Sequence, residues 1–466
     1  MSADSERARA IDALRSALLQ NPDDPDAHGR IGTLLMDEAR AAELHALSRR
    51  RQADETARAL LGEALEHFRT ATRLRPQSAQ AARMRGYALR ELGDLMAARE
   101  SFAEAVRLGS HDARTAADYA ATLCVLGDVR HAVEVLEAAL KHAPEDPALH
   151  GELALALLGS GSFDRGWDEY EWRLRLPDAA NSRAVPYRRW LGEPLKGRTL
   201  LVTSEQGIGD EIMFASCFAD VLSSAQRCVF EASTRLASLF ERSFPKAEIV
   251  VRSLERSPEP DRHRIDCYTP AGSIARFLRR SPEAFPRHTG YLRPDPALRR
   301  QWSERLEAFG GRRKIGLAWT GGLPGTLRAA RSVPLESLRP LLGTSDTFVA
   351  LEFADCAEEV AAFNAAGKER ITWWPEAVSN LEQTAAIVSN LDLVISVPTA
   401  TAHLAGALGR PVWVMVPAIA TWRYMWTGER VPWYPSMRVI RGLGEDRDRY
   451  MRRIRAALIE TETPPS

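Results

Sequence analysis

The sequence contains little lysine, and its overall charge favours neither sign. Arginine supplies nearly all of the 62 basic residues, because lysine occurs only at positions 141, 196, 246, 314 and 368. The 62 acidic residues bring the formal net charge to zero. This balance argues against a general nucleic-acid-binding protein, which usually carries a basic excess. It also argues against an acidic, disordered chain.

Cysteines are few, and long hydrophobic runs are missing. The five cysteines are odd in number, and no two have the C-x-x-C spacing: they are Cys124, Cys217, Cys228, Cys267 and Cys356. This pattern predicts buried thiols in a reducing compartment and neither a disulfide framework nor a metal site. The N-terminal stretch Met1 to Arg15 is charged, and no apolar run reaches the ~18 residues of a membrane span. We therefore expect a cytoplasmic protein.

The N-terminal part of the sequence contains an internal repeat. Small residues, one large apolar residue and a closing residue recur at a constant spacing in three units: Ala64, Phe68, Ala71 and Pro76; Ala98, Phe102, Ala105 and Ser110; Ala132, Leu136, Ala139 and Pro144. A half-repeat with Ala10, Leu14, Ala17 and Pro22 precedes them. Because Pro22 and Pro76 are farther apart than one repeat, we predict an insertion within 41–59.

A period of about 34 residues with small residues at helical spacing indicates tetratricopeptide (TPR) repeats, which are pairs of antiparallel helices. Gly32 and Gly86 occupy the small-residue position of the first helix, where the third unit has Ala120. We predict a TPR α-solenoid over 1–173, made of the half-repeat and about four units, with a concave face that binds a protein.

The last unit is unusually aromatic, with Trp167, Tyr170 and Trp172. These residues favour a capping helix that docks onto the next domain, although stacking on a ligand is an alternative. A proline-containing linker is predicted over 174–196.

From residue 197 onward, β-rich runs alternate with helical patterns, which predicts parallel sheets covered by helices. We expect two Rossmann-like α/β units, at 197–300 and 301–445, followed by a C-terminal helix and tail at 446–466. Ligands in such units lie at the carboxyl ends of the strands. The loops after the strands are therefore the places to search for a site.

Three loops carry candidate residues. In the first, Gly207 and Gly209 allow close approach of a ligand, and Asp210 suits a general base. Taken alone, this loop favours the alternative that Asp210 caps its helix. The second and third loops suit phosphate groups, and their candidates are Thr320, Gly321, Arg328 and Arg331, then Thr399, Thr401, Ala402 and His403. The alternatives are an ordinary turn with solvated arginines and a structural histidine. Glu352, at the end of a strand, could bind a nucleobase or ribose.

Five stretches carry a family resemblance: GIGDEIMFAS, KIGLAWTGG, RSVPLESL, LVISVPTATAHLAGALGRPVWV and WRYMWTGERVPWYPSMRVI. Together they resemble bacterial TPR proteins with a C-terminal GT-B glycosyltransferase region, which is similar to the heptosyltransferases of family 9 and to the flagellin-modifying transferases. The resemblance implies a GT-B fold and an inverting, metal-independent reaction. It also implies Asp210 as the base, and no cofactor beyond a nucleotide sugar. The sequence departs from the donor motif at Pro398, where the group usually has Asp.

The resulting hypothesis is a protein glycosyltransferase that moves a sugar from a nucleotide-activated donor to Ser/Thr hydroxyls of a TPR-bound acceptor. By resemblance, flagellin and a CMP-linked nonulosonic acid are the best guesses for acceptor and donor. Two alternatives stay open. One is a TPR scaffold or chaperone with a degenerate GT-B domain, which Pro398 favours. The other is a transferase that acts on lipopolysaccharide sugars.

Overall fold

A computed structural model describes residues 3–49, 54–109, 112–176, 185–252, 264–310, 312–321, 331–343, 345–416, 420–442 and 445–460. The described chain forms two compact units, one ending at Leu157 and the other beginning at Leu158. Each unit has its own fold.

The first unit is helical. Its helices are α1 (Ala3–Gln20), α2 (Pro25–Arg49), α3 (Asp54–Leu74), α4 (Ala79–Glu91), α5 (Leu95–Arg107), α6 (Ala113–Val125), α7 (Val129–His142) and the beginning of α8 (Pro147–Ser160). The pairs α2–α3, α4–α5 and α6–α7 pack together. The predicted TPR repeats are therefore confirmed. The long α2 and α3, with 25 and 21 residues, occupy the region of the predicted insertion, of which 50–53 lies outside the described residues.

Local sequence explains where these helices begin and end. The side chains of Ser78, Asp94 and Asp112 each accept a hydrogen bond from a free backbone amide in the first turn of the helix that follows. Gly93 and Gly127, which hold equivalent positions in successive units, adopt φ values of 87° and 85°. Glycine tolerates this left-handed conformation, which allows the chain to turn between the two helices of a pair.

The second unit begins with the end of α8, then α9 (Phe163–Tyr170) and a short 3-10 helix (Glu171–Arg175). Trp167 is fully buried and donates a hydrogen bond to the carbonyl oxygen of Arg279 at 2.9 Å. Asp168 pairs with Arg276 and Arg280. This helix therefore docks onto the α/β region, and burial rules out a ligand-stacking role for Trp167. The compact second unit begins before the expected boundary at position 173, because α9 buries its aromatic face against this region.

The first sheet has parallel strands in the order β3-β2-β1-β4. Its strands are β1 (Thr199–Thr203), β2 (Arg227–Ala232), β3 (Glu248–Val251) and β4 (Cys267–Pro270). The helices around it are α10 (Ile208–Phe214), α11 (Phe218–Ser224), α12 (Ala237–Ser243) and α13 (Ala271–Leu278). The next helix, α14 (Pro296–Glu307), leads to the second sheet.

The second sheet is also parallel, in the order β10-β9-β8-β5-β6-β7. Its strands are β5 (Lys314–Ala318), β6 (Thr347–Ala350), β7 (Ile371–Trp373), β8 (Leu393–Ser396), β9 (Val412–Val416) and β10 (Met437–Arg441). The helices with it are α15 (Ala357–Ala366), α16 (Leu381–Val388), α17 (Ala400–Ala407) and α18 (Arg447–Glu460). The last of these buries Tyr450, Met451, Ile454 and Leu458 in the core of this sheet. The two expected Rossmann-like units are confirmed.

The strand order places two loops of each sheet beside a crevice. In the second sheet the order reverses between β5 and β8, so the loops after these strands diverge to opposite faces. The first sheet reverses in the same way between β1 and β4. Helices α10, which follows β1, and α17, which follows β8, pack against each other. Their contact brings the carboxyl ends of the two sheets together.

Candidate functional site

Asp210 lies in the first turn of α10, and its side chain does not cap the helix. Gly207 is the N-cap residue, and no side-chain capping bond is present there. The Oδ1 atom of Asp210 instead accepts a hydrogen bond from Nε of Arg423 at 2.5 Å. Only 15% of the Asp210 side chain is exposed. The helix-cap interpretation is therefore wrong, and the carboxylate belongs to a contact between the two sheets.

Arg423 was not among the residues that the sequence predicted. It lies in a short 3-10 helix (Trp422–Tyr424) beyond the carboxyl end of β9, and its guanidinium carbon is 5.0 Å from the centre of the Trp422 ring. Burial by itself would lower the pKa of Arg423, but the negative charge of Asp210 opposes this effect and the pKa is raised overall. Arg423 is therefore a partly buried, fully charged group that contacts the first turn of α10.

Gln206 connects this pair to the rest of the first loop. It has a φ of 62°, in the left-handed region that non-glycine residues rarely adopt. Its side-chain amide donates to the hydroxyl of Tyr170 at 2.6 Å, and its Oε1 atom is 3.5 Å from Nη2 of Arg423. The preceding residue, Glu205, is buried and accepts hydrogen bonds from Arg173. The loop is thus held from both sides in a strained conformation.

The second loop follows β5. The backbone amides of Trp319 and Thr320 donate to Oε1 of Glu352 at 2.6 and 2.9 Å. Burial raises the pKa of Glu352 to about 7. The carboxyl group of Glu352 therefore fixes the loop, and its predicted contact with a nucleobase or ribose stays a prediction. Gly321 is needed because a Cβ there would lie 2.6 Å from the carbonyl oxygen of Arg331.

Arg331 adds a second positive charge. Among the residues that the structure describes, it forms no ion pair, and its Nε atom is buried without a hydrogen-bond partner. Burial, followed by the positive charge of Arg423, lowers the pKa of Arg331. The positive charges of Arg331 and Arg423 therefore act on each other. Arg328, the other predicted arginine, lies outside the described residues.

The third loop joins β8 to α17. Thr399 is the N-cap residue, but its hydroxyl contacts the hydroxyl of Ser396 at 3.0 Å and does not cap the helix. The first amides of α17 therefore lack a side-chain partner from the cap. Pro398 and Thr399 are half-buried, whereas Thr401 and Ala402 are 1% and 0% exposed. Only the backbone of the last two could reach a ligand in this conformation.

His403 is enclosed in protein. Its Nδ1 atom is 3.0 Å from the hydroxyl of Tyr434, and its Nε2 atom is 3.1 Å from that of Tyr424. Burial lowers the pKa of His403 to about 4, so the ring is neutral at neutral pH. A Cβ at Gly209 would lie 3.1 Å from Cδ2 of His403. In this conformation His403 sets the contact between α10 and α17, which agrees with the structural alternative for this residue.

The first unit carries a separate polar row on helices α2, α4, α6 and α8. Nη2 of Arg40 donates to the hydroxyl of Tyr87, and Arg90 lies over the Tyr87 ring at 4.8 Å. Arg90 also pairs with Asp118 at 3.1 Å. Glu152 has its pKa raised to about 7 by burial, with Asp118 adding to the effect and Arg90 opposing it. TPR repeats commonly use this helix of each pair to contact a partner.

No cluster of three or more histidine, cysteine, aspartate or glutamate side chains that could hold a metal ion occurs in the part of the chain that the structure describes. Of the described helices, none is both long and apolar enough to cross a membrane. All five cysteines are buried and free.

Comparison with known proteins first identifies repeats in the N-terminal part of the chain. The tetratricopeptide repeat family matches residues 55–113 and 124–171. For the α/β region, Escherichia coli ADP-heptose lipopolysaccharide heptosyltransferase II is similar at 15% identity, covering 57% of this chain and all of that one, with a TM-score of 0.42. The chain therefore contains TPR repeats in its N-terminal part.

A curated relative gives a more particular comparison. Protein FlbA of Caulobacter vibrioides is 36% identical over 335 residues, which is 67% of this chain and 55% of FlbA. The chain therefore spans about half the length of that relative. Among solved TPR structures, the MamA protein is similar at 19% identity, covering 37% of this chain and 83% of MamA, with a TM-score of 0.30.

Proposed function

We propose that the chain is a glycosyltransferase that moves a sugar from a nucleotide-activated donor to a Ser or Thr hydroxyl of a protein acceptor. The observation that carries this proposal is the ion pair of Asp210, in α10, with Arg423, on which the positive charge of Arg331 also acts. A carboxylate suits proton removal, and two guanidinium groups suit phosphate. Their place beside the reversal point of the second sheet is where parallel α/β folds bind nucleotides.

The donor would lie along the second and third loops. Its phosphate oxygens would accept hydrogen bonds from Arg331, Arg423 and the first amides of α17. Phe353 follows β6 at the same edge and is 38% exposed. The guanidinium carbon of Arg235 lies 5.5 Å from the centre of its ring, so a nucleobase would stack on the remaining exposed part. Thr320 and Gly321 would line the space between these contacts.

The reaction would be a single displacement. The carboxylate of Asp210 takes the proton of the acceptor hydroxyl, and the hydroxyl oxygen attacks the anomeric carbon of the donor. The bond from that carbon to the phosphate oxygen breaks, and the electron pair leaves with the nucleotide. The guanidinium groups and helix amides stabilise the developing negative charge. Attack from the face opposite the leaving group inverts the anomeric centre, and this route uses no metal ion.

The acceptor protein would be held by the TPR unit. Tethering raises the local concentration of the acceptor hydroxyl, so that the catalytic site needs to recognise only a short segment. The polar row of Arg40, Tyr87, Arg90, Asp118 and Glu152 supports a hydrophilic segment as the partner. Flagellin is the proposed acceptor, a CMP-linked nonulosonic acid is the proposed donor, and both follow from the motif resemblance.

Calorimetric titration with CMP, UDP, ADP and GDP tests the proposal. We expect one nucleotide to bind the wild type, and Arg331→Gln to weaken its binding about tenfold, as the loss of one charge-assisted hydrogen bond would. Arg58→Ala, an exposed arginine of α3, serves as the control and leaves the affinity unchanged. If none of the four nucleotides binds, the enzyme proposal fails.

A non-catalytic scaffold is the second candidate, and one observation favours it. Pro398 stands at the start of the third loop, where the resembling group has Asp, and proline has no amide hydrogen to offer a phosphate. If the TPR unit binds a partner protein while the chain binds none of the four nucleotides, this candidate is supported.

A further inference from the structure

The proposed base is not free in this structure. The carboxylate of Asp210 accepts a hydrogen bond from Arg423 at 2.5 Å, and the two side chains are only 15% and 23% exposed. The guanidinium occupies Oδ1, so an acceptor hydroxyl has only Oδ2 of this carboxylate at its disposal. The pair therefore restricts the step that the proposed function assigns to Asp210.

The charges around this pair do not balance. Arg423 and Arg331 bring two positive charges, and Asp210 supplies one negative charge. Arg331 has no ion pair and a buried, unsatisfied Nε atom in the described part of the chain. A partly buried guanidinium without an anion is costly. A further anion between the two guanidinium groups would offset this imbalance.

The hydrogen bonds of Arg423 allow it to exchange Asp210 for another anion. Its Nε atom makes the contact with Asp210, while Nη2 lies 3.5 Å from Oε1 of Gln206. The Trp422 ring, 5.0 Å from the guanidinium carbon, keeps the group near the crevice when its partner changes. Arg423 can therefore turn to a new anion without leaving the site.

We propose that Arg423 is a switching residue which binds Asp210 in the free protein and the donor phosphate in the complex. This inference rests on the proposed function. Donor phosphate draws Arg423 away from Asp210 and satisfies Arg331 at the same time. Both carboxylate oxygens of Asp210 are then free to accept the proton of the acceptor hydroxyl. Base activation follows donor binding, which makes the donor the first substrate to bind.

The test measures binding of pyrophosphate, and of any nucleotide that binds, by calorimetry. If Asp210 and phosphate compete for Arg423, Asp210→Asn should bind the anion about fivefold more tightly than the wild type, as a coupling energy between contacting charges implies. Arg423→Gln should bind it more weakly. Adding Asp210→Asn to Arg423→Gln should change nothing further, because the competition no longer exists.

The double variant separates this proposal from simple charge repulsion. If Asp210→Asn tightens binding equally with and without Arg423, the carboxylate only repels the anion, and the switch is wrong. An unchanged affinity of Asp210→Asn also overturns it. Asp220→Asn is the matched control, because Asp220 pairs with Arg279 at 2.5 Å away from the three loops. We expect this control to bind like the wild type.

Two outcomes distinguish this inference from the proposed function. If the wild type binds pyrophosphate but no nucleotide, the proposed function fails. Pyrophosphate binding to the wild type, the two single variants and the double variant still tests whether Arg423 switches partners. If a nucleotide binds but this comparison shows no coupling, the switch fails alone. Thermal unfolding of every variant establishes that it is folded, and Arg423→Lys should restore part of the anion affinity lost in Arg423→Gln.

Discussion

Gly209 determines how closely the two α/β units approach. Its missing side chain leaves room for His403, which cannot move aside easily because both ring nitrogens contact tyrosine hydroxyls. The contact of the His403 ring with Gly209 therefore fixes the distance between α10 and α17. The absence of a methyl group at Gly209 therefore allows α10, which carries Asp210, to lie against α17 of the second α/β unit.

We expect Gly209→Ala to destabilise the protein and to weaken nucleotide binding. The added Cβ would stand 3.1 Å from Cδ2 of His403, and overpacking of this kind costs about 1–3 kcal/mol. Thermal unfolding and calorimetry measure the two effects. Gly151→Ala is the control, since a Cβ at this helical position meets nothing within 4 Å. Equal stability of the two variants would contradict the tight contact.

Glu211 gives a prediction about pH. Its carboxylate accepts a hydrogen bond from the amide of Ser233 at 2.9 Å, but burial dominates and raises its pKa to about 7. A raised pKa in the folded state means that the stability contributed by the protonated form is complete below about pH 4.5. This contribution is lost as the pH rises through about 7.

The variant Glu211→Gln should therefore be more stable than the wild type at pH 8, by up to about 3 kcal/mol. At pH 4 the difference should nearly disappear, because Glu211 is then largely protonated in both the folded and the unfolded state. Thermal unfolding at the two pH values measures this. A stability difference that does not change with pH would show that Glu211 carries the same charge in the folded and unfolded states.

Sequence patterns located the site only in part. The glycines and Asp210 could be predicted because a strand, a short loop and a helix start are local features. The partner of Asp210 is 213 positions away, so no spacing rule connects it to Arg423. His403 was recognised, but its two tyrosine contacts depend on the tertiary structure. The predicted phosphate contacts of Thr320, Gly321, Arg331 and Thr399 stay predictions.

At the scale of elements, a glycine on the first helix of two TPR pairs leaves room for a phenylalanine ring on the second helix. A Cβ at Gly32 would lie 2.7 Å from the ring of Phe68, and one at Gly86 would lie 3.0 Å from the ring of Phe102. Both rings are fully buried. The third unit carries Ala120 and Leu136 instead, so that a larger residue on one helix accompanies a smaller one on the other.

This matching predicts a compensated substitution. Gly86→Ala should lower the melting temperature, because overpacking by about 1–3 kcal/mol exceeds the gain of about 1 kcal/mol in helix propensity. Adding Phe102→Leu should recover part of the loss by reproducing the third unit. Gly62→Ala, with nothing within 4 Å of its Cβ, should be neutral or stabilising. If Phe102→Leu and Gly86→Ala were simply additive, the matching would be incidental.

The strands were predictable where both faces are buried. β1, β8 and β9 are short apolar runs, as expected for the centre of a parallel sheet. β7 and β10, the two edge strands of the second sheet, are harder to predict from sequence. β7 has three residues, and two of the five residues of β10 are Arg438 and Arg441. Short length and charge are common at sheet edges, and both weaken the apolar pattern of a strand.

For the whole molecule, zero net charge means that no overall field attracts an anionic donor. Attraction has to come from the local pair of Arg423 and Arg331 and from the helix amides. In the proposed function, the TPR unit provides the surface for a protein acceptor. Asp210 is then essential for transfer but unnecessary for folding or for donor binding.

The most direct measurement is the intact mass of flagellin from cells of the source organism that carry either the wild-type chain or Asp210→Asn. We predict a sugar-sized mass increment with the wild type and with Asp220→Asn, and the unmodified mass with Asp210→Asn. An increment that persists undiminished in Asp210→Asn would contradict the central claim that Asp210 accepts the proton during sugar transfer.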